Sequence, residues 1–347
     1  MTRTDVDTSF SQFRGQEKAR KLIHRALASD RMPHAFLFRG PEGVGKQLFA
    51  RAVAAAVNCR NSKETWACGD CPSCRKFRTG SHPDFMVISP EKGAIKIEQV
   101  RRMCQALSYP PYESPIRVIL LEDVHGMRME AANCLLKTLE EPPPDNLLIL
   151  TADSSKEVLS TIISRCQLIP FYSLTYHETV DVLLECERGL DRETAGLLAR
   201  LAEGSPGKAM LYWKTEMITV MKRLAVILSN PSLDFERDAG VLLQAAEMMS
   251  DLKENLPSLL GLLRIWLRDR LMGVSGLSER AGSPDDDGPL DDEWVKSWSS
   301  RRLFGTLEAI DVAERQLARN CNRTLVCEVL LFSLYSPNNS FAEMAFT

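Results

Sequence analysis

The sequence lacks the segments that secreted and membrane-spanning proteins carry. Its first ten residues, MTRTDVDTSF, contain neither a basic start nor an apolar run, unlike a secretory signal. No uncharged apolar stretch approaches the roughly 20 residues that span a bilayer. Both absences predict a cytoplasmic protein with no membrane association.

The sequence also lacks an excess of positive charge. Its 43 lysines and arginines are opposed by 46 acidic residues interspersed along the chain, and the formal net charge is −3. A free-standing nucleic-acid-binding protein usually presents a strongly basic surface. We therefore expect any contact with DNA to be local or shared with partner proteins.

The chain does have enough apolar residues for several hydrophobic cores. Hydrophobic residues make up 44% of its 347 positions, which predicts two or three domains. Short apolar runs alternate with helical patterns in the first half and predict strands from His34 to Gly40, Phe85 to Pro90, Arg117 to Asp123 and Asn146 to Asp153. This alternation predicts an α/β domain with a parallel sheet, followed from Ser173 onward by an all-helical part.

A glycine-rich loop follows the first predicted strand. Gly40, Gly43 and Gly45 precede Lys46 in the run GPEGVGK, which lies between the apolar run AFLF and the helical run LFARAVAAAV. In a phosphate-binding loop the backbone amides and a helix N-terminus face the phosphates, and the lysine reaches the outer ones. Gln47 stands where such loops carry the Ser or Thr that ligates magnesium. The loop predicts that ATP or ADP can bind with little hydrolysis; a tight turn with a chance lysine is the alternative.

Four of the ten cysteines, Cys59, Cys68, Cys71 and Cys74, lie in the segment CRNSKETWACGDCPSC. Two CxxC steps that share a cysteine, with a fourth thiolate upstream, predict a tetrahedral and structural Zn²⁺ site. Unligated thiols are one alternative, and a nucleic-acid-reading finger with a modest basic patch is another. The cysteines predicted to be small core residues are Cys104, Cys134, Cys186, Cys321 and Cys327.

Several motifs occur in a fixed order along the chain: FRGQEKARKLI, HAFLFRGPEGVGK, CLLKTLEEPP and SRCQ. In this order they resemble the clamp-loader subunits of the AAA+ class, and in particular the delta-prime subunits of bacterial DNA polymerase III. The resemblance covers about the first 210 residues. It implies an AAA+ phosphate-loop domain over residues 1–170 with a zinc module at 59–74, a small helical lid over 171–211 and a C-terminal helical collar over 212–347.

The resemblance also assigns roles to residues outside the loop. Glu122 and Asp123 end a strand where working relatives carry Asp and then Glu, so both carboxylates are displaced from the positions that hydrolysis requires. A solvated pair that caps a strand is the alternative. Thr151 falls at the family's first sensor, and Gly207 lies where motor subunits usually carry a second-sensor arginine. Arg165 is implied to act in trans on ATP held by a neighbouring motor subunit; an ordinary surface charge is the alternative.

The implied function is that of a non-motor clamp-loader subunit that helps to load the sliding clamp in DNA replication. It would belong to a DNA polymerase holoenzyme, with little ATPase activity and no polymerase site of its own. Its implied partners are the gamma/tau motor subunits and the delta subunit and, through the complex, the beta sliding clamp and primed DNA. An active ATPase motor subunit of the same ring is one alternative, and a zinc adaptor unrelated to replication is another.

Overall fold

The computed structural model describes residues 13–29, 32–61, 66–91, 93–154, 158–229, 235–274, 300–319 and 321–335. The chain divides into two compact units, Met1–Ala199 with Glu203–Lys208 and Arg200–Ala202 with Ala209–Thr347. The first unit contains the predicted sheet domain together with most of the predicted lid. The boundaries at residues 170 and 211 stay predictions.

The first unit is built on a parallel sheet of five strands in the order β2-β3-β4-β1-β5. The strands are β1 (Ala35–Gly40), β2 (Phe85–Ile88), β3 (Arg117–Leu121), β4 (Asn146–Asp153) and β5 (Gln167–Pro170). The first four were predicted from their apolar runs. β2 and β3 end two residues earlier than predicted because their pairing stops where Ile88 lies opposite Leu121.

Helices lie between and after these strands. In the first 201 residues they are α1 (Glu17–Leu27), α2 (Lys46–Val57), α3 (Pro72–Arg78), α4 (Ile97–Leu107), α5 (Met129–Glu140), α6 (Ser160–Ile163), α7 (Tyr176–Cys186) and α8 (Arg192–Leu201). Those that follow are α9 (Pro206–Lys214), α10 (Met217–Ser229), α11 (Phe235–Ser250), α12 (Leu256–Val274), α13 (Ser300–Ala318) and α14 (Arg323–Tyr335). The prediction of an all-helical second part is confirmed over its described residues. None of the described helices is both long and apolar enough to cross a membrane.

Successive residues of a strand face opposite sides of the sheet, and both sides are apolar here. Phe36 and Phe38 of β1 pack in the core on one face with Phe49 of α2, whereas Leu37 packs in the core on the other face with Leu135 of α5. All five side chains are fully buried. The helices therefore cover the sheet on both faces, as parallel sheets require.

The second unit has its own apolar core among its helices. Leu330, Leu331 and Leu334 of α14 are buried in it, whereas Leu325 at the start of the same helix is 57% exposed. Two predictions about cysteines are wrong. Cys186, the last residue of α7, and Cys321, between α13 and α14, are exposed rather than core residues, because each lies where a helix ends or has not yet begun.

Candidate nucleotide and metal sites

The glycine-rich loop connects β1 directly to α2. Gly43 and Gly45 have φ angles of +75° and +96°, in the left-handed region that glycine adopts without steric cost. Gly45 is the N-cap of α2, so the unpaired N–H groups of the first helical turn face the loop. This strand–loop–helix arrangement fits a phosphate group, which backbone amides and the positive end of a helix attract.

Lys46 is the basic residue of this loop, and it is only 6% exposed. Its Nζ donates hydrogen bonds to the carbonyl oxygens of Gly40 at 2.8 Å and Pro41 at 2.6 Å. Burial lowers the pKa of Lys46, and the nearby carboxylates of Asp153 and Asp123 partly oppose that shift. The ammonium group thus binds carbonyl oxygens of its own loop. It lies at the edge of the sheet that also carries Asp123 and Asp153.

The acidic residues lie at the carboxyl ends of β3 and β4. Because β1, β3 and β4 are parallel neighbours, the residues that follow them meet at one edge with the phosphate loop. Glu122 is 9% exposed and accepts a hydrogen bond from the hydroxyl of Ser89 at 2.6 Å. The fully buried Thr151 accepts one from the backbone N–H of Asp123 at 3.0 Å. Asp153 was not predicted as a site residue. Its signal in the sequence is an acidic residue at the end of a buried strand, β4, which pairs with β1.

Gln47 is exposed on the first turn of α2. A Ser or Thr at this position would present a hydroxyl to magnesium, whereas Gln47 presents an amide on a longer arm. The residues present therefore fit the phosphates of a nucleotide better than they fit its metal ion.

Arg165 lies in the connection between α6 and β5. One terminal nitrogen is 2.6 Å from the carboxylate of Glu140, at the end of α5, and the other donates to the carbonyl of Thr161 at 3.0 Å. The side chain is 34% exposed. Glu140 was not predicted, although it belongs to the CLLKTLEEPP motif. Arg165 is thus a partly exposed arginine, paired with a carboxylate, that lies just before β5.

The four clustered cysteines come together as predicted by their spacing. Their sulfur atoms all lie within 4.8 Å of one another, and tetrahedral coordination at about 2.3 Å per Zn–S bond needs a separation of about 3.8 Å. Backbone N–H groups donate to three of the sulfurs: Cys68 to Cys59 at 3.2 Å, Cys71 to Cys68 at 3.4 Å and Cys74 to Cys71 at 3.4 Å. An all-sulfur set with these supporting donors fits a structural zinc ion and leaves no protein position for an open catalytic site.

The thiols of the cluster differ in acidity. Burial opposes ionisation of Cys71, but hydrogen bonds from the N–H groups of Cys74 and Arg60 lower its pKa to about 6. Burial raises the pKa of Cys59 and of Cys74. Thiolates rather than thiols bind metal ions. Lys76, one of the basic residues behind the alternative of a nucleic-acid-reading finger, pairs with Glu113 at 2.5 Å. That pair reduces the patch available to a nucleic acid.

Comparison with known proteins shows that the sheet domain is similar to subunits of bacterial DNA polymerase III. Residues 15–175 match the family model described as "DNA polymerase III, delta subunit". The delta-prime subunit of Bacillus subtilis DNA polymerase III is 33% identical over 186 residues, which are 54% of this chain and 56% of that protein. The tau subunit of Escherichia coli is 32% identical over 201 residues, 57% of this chain and 31% of that protein. Residues 15–175 are therefore similar to the delta-prime and tau subunits of bacterial DNA polymerase III.

The structure confirms the parallel sheet of the predicted fold class. It also has a four-cysteine cluster that fits a zinc module and, over its described residues, a helical C-terminal part. The chain spans just over half of the B. subtilis relative and about a third of the E. coli relative. A gamma subunit-related protein of Thermotoga maritima aligns with 92% of this chain and 99% of its own, at a TM-score of 0.48 and 18% identity.

Proposed function

We propose that this chain is a non-motor, delta-prime type subunit of a clamp loader, and that Arg165 completes the ATP site of a neighbouring motor subunit. In this assembly the gamma/tau subunits hydrolyse ATP and the delta subunit acts beside them. The complex then places the beta sliding clamp on primed DNA. The chain contributes a positioned arginine and a structural zinc module, and its residues 171–211 and 212–347 serve as lid and collar.

The position of Arg165 relative to the sheet carries this proposal. Gln167, two residues later, pairs with Phe36 near the start of β1, and the two strands are parallel. Arg165 therefore precedes the sheet at its amino edge, whereas the phosphate loop follows β1 at the carboxyl edge. β1 has six residues and is about 20 Å long at about 3.3 Å per residue. This separation supports action on another subunit's nucleotide rather than on the chain's own.

The chain's own phosphate loop supports the non-motor half of the proposal. Gln47 offers no hydroxyl to magnesium, and Glu122 is engaged by Ser89 rather than left to organise a metal ion. Phosphoryl transfer depends on positioning and on metal-assisted charge stabilisation, so these substitutions are expected to suppress turnover.

An active motor subunit is the second candidate. The observation that favours it is the loop itself, whose glycines have the required backbone conformation and whose lysine is in place. The two candidates make opposite predictions for the same pair of variants. In a motor subunit Lys46 is essential for hydrolysis. In a subunit that completes its neighbour's ATP site, Arg165 is the essential residue instead.

The test is ATP hydrolysis by the complete ring, reconstituted with the matching motor and delta subunits and stimulated by clamp and primed DNA. Arg165→Ala is expected to slow hydrolysis at the adjoining motor site by about a thousandfold or more, which is the effect typical of arginine fingers. Lys46→Ala is expected to leave the stimulated rate unchanged. Arg78→Ala, which removes an exposed arginine of α3, controls for the loss of one positive charge.

Ring assembly is followed by size-exclusion chromatography for every variant. A loss of hydrolysis in Lys46→Ala with no loss in Arg165→Ala would identify a motor subunit instead. A chain that fails to assemble with the motor and delta subunits would support the unrelated zinc adaptor.

A further inference from the structure

Residues 204–208, which include the predicted second sensor, lie directly on the phosphate loop of the same chain. The hydroxyl of Ser205 donates to the carbonyl oxygen of Glu42 at 2.7 Å. The backbone N–H of Gly207 donates to the carbonyl oxygen of Gly43 at 2.9 Å. The same Ser205 hydroxyl accepts from the N–H of Lys208 at 3.3 Å. The loop is therefore bound by two hydrogen bonds to a segment about 160 residues further along the chain.

The contact is close enough to require glycine on both sides. A Cβ atom at Gly207 would lie 2.7 Å from the Cα and 2.9 Å from the carbonyl oxygen of Gly43. A Cβ atom at Gly43 would in turn lie 2.9 Å from the backbone nitrogen of Lys208. These distances fall below those that real Cβ atoms adopt. The obstacles at Gly207 are all backbone atoms, whereas a Cβ at Gly43 would also meet the hydroxyl oxygen of Ser205. Any larger residue at position 207 must push the segment away from the loop.

A second anchor holds the segment in place. The N–H of Leu174 donates to the carbonyl oxygen of Gly204 at 2.8 Å, and Gly204 has a φ of +78°. The segment is thus tied to residues after β5 at one end and to the phosphate loop at the other. It is a fixed element of the first unit rather than a loose connection.

Lys46 already has hydrogen-bond partners within the phosphate loop. Two of its three N–H donors bind the carbonyl oxygens of Gly40 and Pro41. A nucleotide phosphate that recruits Lys46 must replace these bonds. The loop carbonyls of Glu42 and Gly43 are meanwhile engaged by the segment that faces them.

We propose that residues 204–208 form an internal clasp that holds the phosphate loop closed, so that ATP binds only to the fraction of molecules in which the clasp has opened. This inference rests on the proposed function. It gives a physical reason why a subunit with an intact glycine-rich loop does not act as a motor. The apparent dissociation constant for ATP equals the intrinsic constant divided by the open fraction. Opening the clasp by mutation therefore tightens binding without any new contact to the nucleotide.

The test is binding of Mg-ATP to the isolated full-length chain by titration calorimetry. Gly207→Ala is expected to bind ATP about tenfold or more tightly than the wild type, because the added methyl group meets backbone and opens the clasp. Ser205→Ala removes one clasp hydrogen bond without adding volume and is expected to tighten binding about threefold to tenfold. Gly189→Ala is the matched control, since a Cβ at Gly189 meets only open space, and it should bind like the wild type.

Two further readouts make the outcome decisive. The double variant Gly207→Ala/Lys46→Ala should lose the gain, which places the added binding at the phosphate loop, and hydrogen exchange at residues 41–47 and 204–208 should accelerate in Gly207→Ala. Equal ATP affinity in the wild type, Gly207→Ala and Ser205→Ala would overturn the clasp, and if Gly207→Ala does not fold, Ser205→Ala decides alone. Because no partner subunit is present, this failure is distinct from a failure of Arg165 to support hydrolysis in the ring.

Discussion

Asp84 shows how a single buried residue can organise this domain away from its candidate sites. The side chain is fully buried, and its carboxylate accepts hydrogen bonds from three consecutive backbone N–H groups, those of Tyr112, Glu113 and Ser114, at 2.5, 2.9 and 3.0 Å. Burial opposes ionisation, but these hydrogen bonds lower the pKa of Asp84 below its ordinary value. The charged carboxylate therefore fixes the connection between α4 and β3.

Replacing Asp84 with Asn should destabilise the first unit by about 2 kcal/mol at pH 7, because an amide cannot satisfy three N–H donors. A lowered carboxyl pKa stabilises the fold above the unfolded-state pKa of about 4, and this contribution is lost as the pH falls through the folded-state pKa. The difference between wild type and variant should thus shrink below about pH 4. Urea unfolding at pH 7 and pH 3 measures it, with the exposed Asp251→Asn as control. Equal stability of both variants at pH 7 would contradict this role.

Residues of the candidate sites that depend on local spacing could be predicted, and those that depend on distant contacts could not. Lys46 and the four cysteines follow from short motifs. Asp153 and Glu140 take their roles from partners that come close only in the folded chain; Glu140, for example, lies 25 residues before its partner Arg165. The same holds for Asp84 outside the sites. The contact between Gly207 and Gly43 could not be predicted from the sequence for the same reason.

Among the structural elements, the cysteine module links the end of α2 to α3. Cys59 follows α2, and Cys71 is the N-cap of α3, where its sulfur accepts the N–H of Cys74. Phe77, in the same helix, is 5% exposed and stacks on the ring of His82 at 4.1 Å. The module is therefore packed into the domain rather than attached to its surface, and a bound zinc ion would stabilise the domain as a whole.

Removing one zinc ligand should release the metal and lower the melting temperature. The wild type is expected to bind one zinc ion per chain, and Cys74→Ser to lose it with a fall in Tm of about 5 °C or more. Metal analysis and differential scanning calorimetry measure both effects. Cys321→Ser, which changes an exposed thiol outside the cluster, should keep both values. A Cys74→Ser variant that retains zinc at full occupancy and an unchanged Tm would contradict the assignment.

Strand positions could be predicted well because each central strand is a short apolar run, but strand ends could not. The predicted strands extended two residues past Ile88 and Leu121, into Ser89–Pro90 and Glu122–Asp123. Such turn-favouring residues mark a boundary only approximately, because the last paired residue depends on the neighbouring strand. β5 was not predicted, because it begins with a polar glutamine and ends in proline, so that only Leu168 and Ile169 form an apolar run.

For the whole molecule, positive and negative charges are nearly balanced, and the chain divides into two compact units. The first unit carries every candidate site described above, and the helical second unit supplies an apolar core of its own. Helical periodicity predicted the second unit's class but not its packing, since the choice of helix partners depends on contacts between residues far apart in the chain.

We propose that the chain serves its neighbour's ATP site rather than its own, and loading of the sliding clamp onto primed DNA is the decisive test. Clamp loading should require the chain, persist when the ring contains Lys46→Ala, and fall by about a thousandfold with Arg165→Ala in a ring that still assembles. Loading that is lost with Lys46→Ala but retained with Arg165→Ala, or that proceeds without the chain, would refute this proposal.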